Sequence, residues 1–351
     1  MTKNSYLGVD IGVAGIKVVE LGEQHGRPVL LTYGFCNRPL GDYKQKLIDD
    51  PAGAGALLKK ICEKAGTISK KCVTGLPISA VFSALVNVPT TDEKEMKPAV
   101  ELQSAKLSPW PLADIILDWR VVPAEKTDGV RGTQVLVIGA QKNLIKQYVE
   151  VFKAAGLEIT SLETEAFALM RSLIGDDKSP AMILDIGGER TNIVIVASGV
   201  PLMSRSVDVG GKVFTAELAK TLGIGAAPAE EFKLDAEKLE AIMPGDSVLA
   251  EMYKAVLRPA LNEIQYALDL YSNQNGFGAP KIEKIILTGG SCLLPGLAAF
   301  LNNTFKIRAY VGDPWTRTVY SEDLRPLLDK LGPRFSVAIG LAMREIGKKQ
   351  I

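Results

Sequence analysis

Histidine is nearly missing from this sequence. His25 is the only one in 351 residues. A Ser-His-Asp triad would therefore need His25 as its base, and a histidine-rich metal site has no ligands. His25 itself lies in GEQHGRP, a hairpin-like turn where a solvated ring is expected. Cysteine is sparse too. Cys36, Cys62, Cys72 and Cys292 form no CxxC pair, which excludes a zinc ribbon or redox dithiol of that design. Reduced, mostly buried thiols are expected instead. No charge of one sign dominates: Lys+Arg 41 stand against Asp+Glu 40, a net charge of +1. Such a chain has no broad field to attract nucleic acid, and no nucleic-acid partner is expected. No apolar run is long enough to span a bilayer. The opening MTKNSYLGVDIG lacks the layout of a signal peptide, so a cytosolic protein without direct membrane insertion is expected. GxxxxGK[ST] and GxGxxG are also absent, which excludes a P-loop and leaves a dinucleotide-binding Rossmann reading weak.

What is present is apolar and patterned. The chain is 47% hydrophobic and 23% charged, enough for two cores and too apolar for disorder. It opens with three strand-like runs, YLGVDI, IKVVELG and PVLLTYGF. A helix around AGALLKKICEKAG ends at Gly66, and CVTGLPISAVFSALVNVP is strand-like, broken by Gly75 and Pro77. Residues 83–157 read as a helix–strand–strand–helix unit. Its first helix starts near Asp92, with Glu95 three residues on as in a capping box. Its loop is EKTDGVRGT. Its last helix sets Leu144, Ile145, Tyr148, Val149 and Phe152 on one side. LEITSLETEAFALMRSL runs from strand into helix, and GDDKSP is the clearest linker. The three-strand opening then repeats. Helices follow around 212–222 and 228–242, with a long one near 248–274. The strand IEKIILTGG, the helix PGLAAFLNNTF and a last helix FSVAIGLAMREIGKK complete the chain. Two halves that each open with three strands predict duplicated α/β domains facing a cleft.

The repeat contains one device made twice. LGVDIG carries Asp10 and Gly12; MILDIGG carries Asp185, Gly187 and Gly188. Glycines let the backbone turn tightly and approach a ligand, and the N–H groups of such a turn form an anion-binding concavity. An Asp beside a phosphate is repelled unless Mg²⁺ lies between them. Mg²⁺ is held by one or two carboxylates plus phosphates and waters. Two facing Asp-x-Gly hairpins therefore suit Mg-nucleotide, although a single Asp-Gly turn is ordinary hairpin chemistry. A third element, IILTGGSCLLPGL, ends a strand in Gly289 and Gly290 and opens a helix after Pro295 and Gly296. It suits a flat base, a sugar or an anion at a helix N-terminus, or is a plain strand–helix connection.

In this order the three elements resemble the phosphate 1, phosphate 2 and adenosine motifs of the actin/Hsp70/sugar-kinase superfamily. LETEAFALMR and FSVAIGLAMRE resemble its two connecting helices. VPTTDEKEMKPAVELQSAKLSPWPLADIILDWRVV, FKAAGLEITSLETEAFALMRSL, DIGGERTNIVIVASG and AIGLAMR are similar to the PilM family of type IV pilus assembly proteins, over about Tyr6 to Gly347. The resemblance implies an FtsA-like arrangement of duplicated actin-like (ribonuclease H-like) domains around a nucleotide cleft. Subdomain 1A would take 1–82, 158–178 and 333–351, and 1C would take 83–157. Subdomain 2A would take 179–211 and 277–332, and 2B 212–276.

The resemblance also implies ATP and Mg²⁺ as ligands. Asp10 and Asp185 would face Mg²⁺ through water. Gly12, Lys17, Gly187, Gly188 and Thr191 would belong to the phosphate hairpins, and Gly210 and Gly211 to the Gly-Gly pair after the third strand. Glu230 and Lys233 would hold the adenosine with Gly289, Gly290, Pro295 and Gly296. Glu165 would orient a water. On residue chemistry alone Lys17 also fits an exposed strand position, Glu165 a helix start favoured by the dipole, and Glu230–Lys233 a surface ion pair. The implied partner is the N-terminal cytoplasmic tail of a PilN-like bitopic inner-membrane protein, with cytoplasmic motor ATPases of the pilus as further partners. The chain would then be cytoplasmic and peripheral to the inner membrane through that partner. One departure stands out. Where the superfamily usually has a Ser or Thr after the first Asp-x-Gly, this chain has Val13, Ala14 and Gly15. Nucleotide binding survives that loss better than turnover, so slow or absent ATPase activity is expected. The alternative is a small-molecule kinase of the same superfamily. It would need a catalytic Asp over the acceptor hydroxyl, and no such signature is found between the first hairpin and Asp185. The GKKQI end lacks a long amphipathic membrane helix.

Overall fold

A computed structural model describes residues 5–38, 46–90, 92–122, 132–235, 238–239, 241, 246–274 and 280–346. Two five-stranded sheets share one topology. The first is built from β1 (Ser5–Gly12), β2 (Gly15–Gln24), β3 (Arg27–Asn37), β4 (Lys71–Leu76) and β8 (Glu158–Thr164), in the order β3-β2-β1-β4-β8. The second uses β9 (Ala181–Ile186), β10 (Thr191–Ala197), β11 (Val200–Val207), β12 (Lys284–Thr288) and β13 (Arg308–Val311), in the order β11-β10-β9-β12-β13. In both, the first three strands form an antiparallel meander and the next two add in parallel. The central strands are nearly continuous apolar runs because both their faces are covered. All of β10 is buried, and β9 is buried except at Asp185.

The third sheet has the order β5-β7-β6, from β5 (Val81–Val88), β6 (Ile115–Val121) and β7 (Thr133–Gln141). Helix α2 (Glu93–Leu107) covers it through Met96 and Val100. Asp92 caps α2 by accepting the Lys94 N–H at 2.9 Å. Glu95 bonds the Thr90 hydroxyl rather than returning to Asp92, so the capping box is half made. The strand-like run 72–89 divides between two sheets, because the Pro77 turn carries the chain from β4 into β5. Helix α3 (Lys142–Ala155) packs on α1 (Pro51–Ala65), with Tyr148, Val151 and Phe152 in the same core as Leu7, Val9 and Leu58. The loop 125–133 lies outside the described residues up to Gly132, as do the C-terminal 347–351.

Helix α4 (Glu165–Leu173) and the long α10 (Arg325–Ala342) lie together between the two large sheets. Gly340 permits this: a Cβ there would stand 1.9 Å from the Ala168 carbonyl oxygen. The second domain's other helices are α5 (Gly211–Leu222), α6 (Ala226–Leu234), α7 (Asp246–Val256), α8 (Arg258–Gln274) and α9 (Leu297–Phe305). The helix expected over 228–242 ends its described run at Leu234, and part of its remainder lies outside the described residues. The helix expected over 248–274 is two, parted at Leu257. Pro259, the second residue of α8, has no N–H to bond back into α7 and its ring crowds the preceding turn. No described helix is long and apolar enough to cross a membrane.

Candidate functional site

The shared topology brings the C-terminal ends of β1 and β9, the middle strands of the two sheets, to one cleft. Asp10 lies on β1 opposite Lys17 on β2, and their side chains pair at 2.8 Å, Oδ2 to Nζ. Asp185 lies on β9 opposite Asn192 on β10, whose Nδ2 donates to Oδ2 at 3.1 Å. The first residue of α4, Glu165, adds a third carboxylate. It accepts the Ile78 N–H at 3.2 Å and the Asn192 amide at 3.4 Å. Burial, then the charges of Asp10 and Asp185, push the Glu165 carboxyl up to about 8. Burial also raises Asp185, to about 6; the Asn192 hydrogen bond acts the other way and the Asp10 charge adds to the rise. Three carboxylates thus crowd together beside the Lys17 ammonium, and their mutual repulsion would be relieved by a bound cation.

These groups line a cavity of about 480 Å³ between the domains, a volume in the range of cofactor sites. Gly12, Gly187, Gly188, Gly289 and Gly290 line it with Asp10, Lys17, Glu165, Asp185, Glu230 and Lys233. The two hairpin loops nearly meet: a Cβ on Gly188 would stand 3.5 Å from the Ala14 methyl. Gly289 has φ +88, and a Cβ there would stand 2.5 Å from both the Asp185 Oδ1 and the Ile186 carbonyl oxygen. Its N–H donates to the Pro333 carbonyl at 3.0 Å, tying the second domain to α10. Lys233 pairs with Glu230 at 2.6 Å and lies 3.0 Å from the Thr215 hydroxyl. Lys233 is buried, and burial lowers its pKa. This is an interior pair at the cavity wall, not a solvated surface pair.

Other expected residues stand behind the wall. Thr191 is buried and gives its hydroxyl to the Val209 carbonyl at 2.7 Å. Gly210 and Gly211 cross beneath the second hairpin, where the Gly211 N–H bonds the Gly187 carbonyl at 2.9 Å. Pro295 accepts the Tyr253 hydroxyl through its carbonyl, and Gly296 precedes α9. None of these five lines the cavity. Sequence reasoning passed over Asn192, Ser291, Arg38, Arg190, Lys212 and Arg334, all of which do. Asn192 had a signal: it follows Asp185 by the same seven positions that separate Lys17 from Asp10. Arg190 lies within the DIGGERTNIVIVASG motif, whereas Arg38 and Arg334 lie in runs with no periodic or motif signature. Among the described residues, no group of three or more His, Cys, Asp or Glu side chains forms a metal cage by itself.

A family model described as type IV pilus assembly protein PilM matches residues 8–346. The chain belongs to that family. The solved structure of a PilM-PilN type IV pilus biogenesis complex is similar to this PilM-family chain at 26% identity and a TM-score of 0.80, covering 97% of this chain and 98% of that one. Ethanolamine utilization protein EutJ from Carboxydothermus hydrogenoformans shares the fold, with TM-score 0.54, 17% identity and coverage of 97% and 90%. Among curated relatives, the cell division protein FtsA of Streptococcus pneumoniae is 22% identical over 348 residues, 86% of this chain and 74% of that protein. FtsA of Neisseria meningitidis is 24% identical over 249 residues; the match takes 65% of this chain but only 59% of that protein's length. The fold is therefore the actin-like one, two related sheet domains around a cleft.

Proposed function

We propose that this PilM-family chain is an ATP-binding scaffold of a type IV pilus, or related secretion, assembly complex at the inner membrane. It grips the N-terminal cytoplasmic tail of a PilN-like membrane protein, is held at the membrane through it, and meets cytoplasmic motor ATPases beside it. The observation that carries the nucleotide half is the convergence of Asp10 and Asp185, from two different sheets, in one glycine-walled cavity. The donor set fits Mg²⁺. Asp10 and Asp185 offer hard carboxylate oxygens, and among the described residues no protein-only cage competes with waters and phosphates for the ion. Bound Mg²⁺ would neutralise phosphate charge beside these carboxylates. Asp10 and Asp185 would hold it through water, with Lys17 countering phosphate charge. Glu230 and Lys233 would hold the adenosine beside Gly289 and Gly290, and Glu165 would orient a water. Turnover is slow or absent, because Val13 and Ala14 offer no hydroxyl to a phosphate.

The tail half draws support from the PilM-PilN complex that the chain resembles. We place the groove between subdomains 1A and 1C, with 1C at 83–157. In support, the cavity that holds the carboxylates is also lined by Ile48, Pro77 and Ala80 from 1A and by Leu144 from 83–157, so nucleotide and tail would lie near one another.

Thermal unfolding with ATP or ADP, with and without Mg²⁺, tests the site in wild type and Asp185→Ala. A ligand at 100 times its Kd adds about 2.7 kcal/mol of stability. The expected result is an Mg²⁺-dependent rise that the variant lacks. No rise at millimolar nucleotide overturns the nucleotide reading. A labelled PilN-type tail peptide that fails to bind the folded chain, with or without nucleotide, overturns the scaffold reading.

A further inference from the structure

Tyr148 lies on the face of α3 that packs into the first domain's core, and its side chain is fully buried. Its ring needs no explanation, but its hydroxyl does. Among the described residues that oxygen has no hydrogen-bond partner. Buried hydroxyls are rarely left so, and an interior water with two to four polar partners is the usual relief. Thr318 has the other such atom among the described side chains, and it does not line the cavity. Tyr148 does, as do Glu165 and Asp10, and the part of the cavity these three line is taken as its floor. Burial, and then the charges of Glu165 and Asp10, hold the phenol well above its ordinary pKa, so the hydroxyl stays a donor. Glu165 has capacity to spare. Its Oε2 takes both the Ile78 N–H and the Asn192 amide. Among the described residues nothing donates to its Oε1.

We infer that Tyr148 is a positioning residue of the nucleotide site: its hydroxyl donates to a buried water that also bonds the Glu165 carboxylate. The water stands at the floor where the two Asp-x-Gly hairpins converge. This rests on the nucleotide reading above and extends it, since it assigns Glu165 a second residue with which to hold its water. A nucleotide that reaches the floor with its terminal phosphate gains from an ordered water, and a shorter one does not. Tyr148 would thus favour the triphosphate over the diphosphate without touching either.

Tyr148→Phe keeps the packed ring and removes only the oxygen. A high-resolution crystal structure of the nucleotide-free wild type is expected to show a water within hydrogen-bonding distance of the Tyr148 hydroxyl and Glu165. The variant should lack it. By calorimetry with Mg²⁺, the variant should bind a non-hydrolysable ATP analogue about threefold to tenfold more weakly than wild type, as expected for one lost hydrogen bond. ADP affinity should stay within about twofold. A dry floor in the wild type overturns the inference, as does equal weakening for both nucleotides or none for either. Wild type that binds no nucleotide sinks the nucleotide reading instead, and the crystallographic water then decides the role of Tyr148 alone.

Discussion

Lys17 and Asn192 hold the same place in two copies of one hairpin. Each lies opposite the aspartate that ends the central strand of its sheet, Lys17 against Asp10 and Asn192 against Asp185. The fold repeats and the charge does not. The first copy neutralises its carboxylate with an ammonium at 2.8 Å, the second only bonds it with an amide at 3.1 Å. Asp10 thus has an ion-pair partner and Asp185 an amide one. On the proposed nucleotide reading, the metal ion would lie toward Asp185 and the phosphate it carries toward Lys17.

The Asp10–Lys17 pair is nearly buried, with side-chain exposures of 8% and 17%. Lys17→Met would leave Asp10 unpaired among Glu165 and Asp185. Breaking a buried pair by removing one partner costs several kcal/mol, and slight exposure here points to about 2–4 kcal/mol. Urea unfolding in EDTA should show the loss. Asp185→Asn removes a carboxylate that has no cation of its own, and it should be neutral or stabilising under the same conditions. If Lys17→Met unfolds at the wild-type midpoint, the pair is ornamental.

Glu165 and Asp185 make a pH dependence with a definite sign. Their folded-state values, about 8 and about 6, lie above the ordinary 4.5 and 3.8. Between roughly pH 4 and pH 8 the folded chain therefore holds more protons than the unfolded one, and stability falls as pH rises. Metal-free, nucleotide-free protein should melt at a higher temperature at pH 6 than at pH 8. Glu165→Gln should flatten most of that slope above pH 6. Mg-nucleotide should release protons on binding at pH 7, visible by calorimetry in buffers of different ionisation enthalpy. Proton uptake, or a slope of the opposite sign, would contradict the crowding of these carboxylates.

Gly289 permits a sharper substitution test. With φ +88 and a 2.5 Å approach to Asp185, alanine there is both strained and in collision. The strain alone costs about 1–3 kcal/mol, and the collision displaces the Asp185 carboxylate. Gly289→Ala should lower stability by at least about 2 kcal/mol and weaken Mg-nucleotide binding together. Gly26, at φ +76 in the open β2–β3 turn, has nothing within 4 Å of an added Cβ. Gly26→Ala should cost only the strain and leave binding intact. Equal binding losses in both variants would show that the effect is general unfolding.

The halves, their meanders and the paired aspartates were legible because strand periodicity and Asp-x-Gly turns are local signals. Glu230 and Lys233 were legible as a motif, but not as a buried pair, since an i,i+3 spacing looks the same on a solvated face. Tyr148 was read correctly as apolar-face packing, which hid its hydroxyl. Thr191, Gly210 and Gly211 lie in the expected segment but do not line the cavity: on β10 the Thr191 hydroxyl turns to the Val209 carbonyl, a matter of strand register, and Gly210 and Gly211 stand where the chain enters α5. The association of α3 with α1 depends on contacts between segments 90 residues apart, and nothing within either segment announces it.

Lys233 separates recognition of the base from recognition of the phosphates. It is held at the cavity wall by Glu230, Thr215 and the Gly211 carbonyl, on the second domain rather than the first, which carries Lys17. Its loss should remove contacts to adenosine and leave the phosphate hairpins untouched. Lys233→Met should therefore weaken Mg-ATP by about tenfold or more, the scale of a hydrogen bond to a charged group. Mg-tripolyphosphate, which has no adenosine, should bind it as it binds wild type. Lys17→Met should weaken both ligands alike. Competition between each ligand and a fluorescent ATP analogue measures all four affinities. If Lys233→Met weakens tripolyphosphate as much as ATP, the Glu230–Lys233 pair supports the fold of α5 and α6 rather than the nucleoside, and the base is held by other groups.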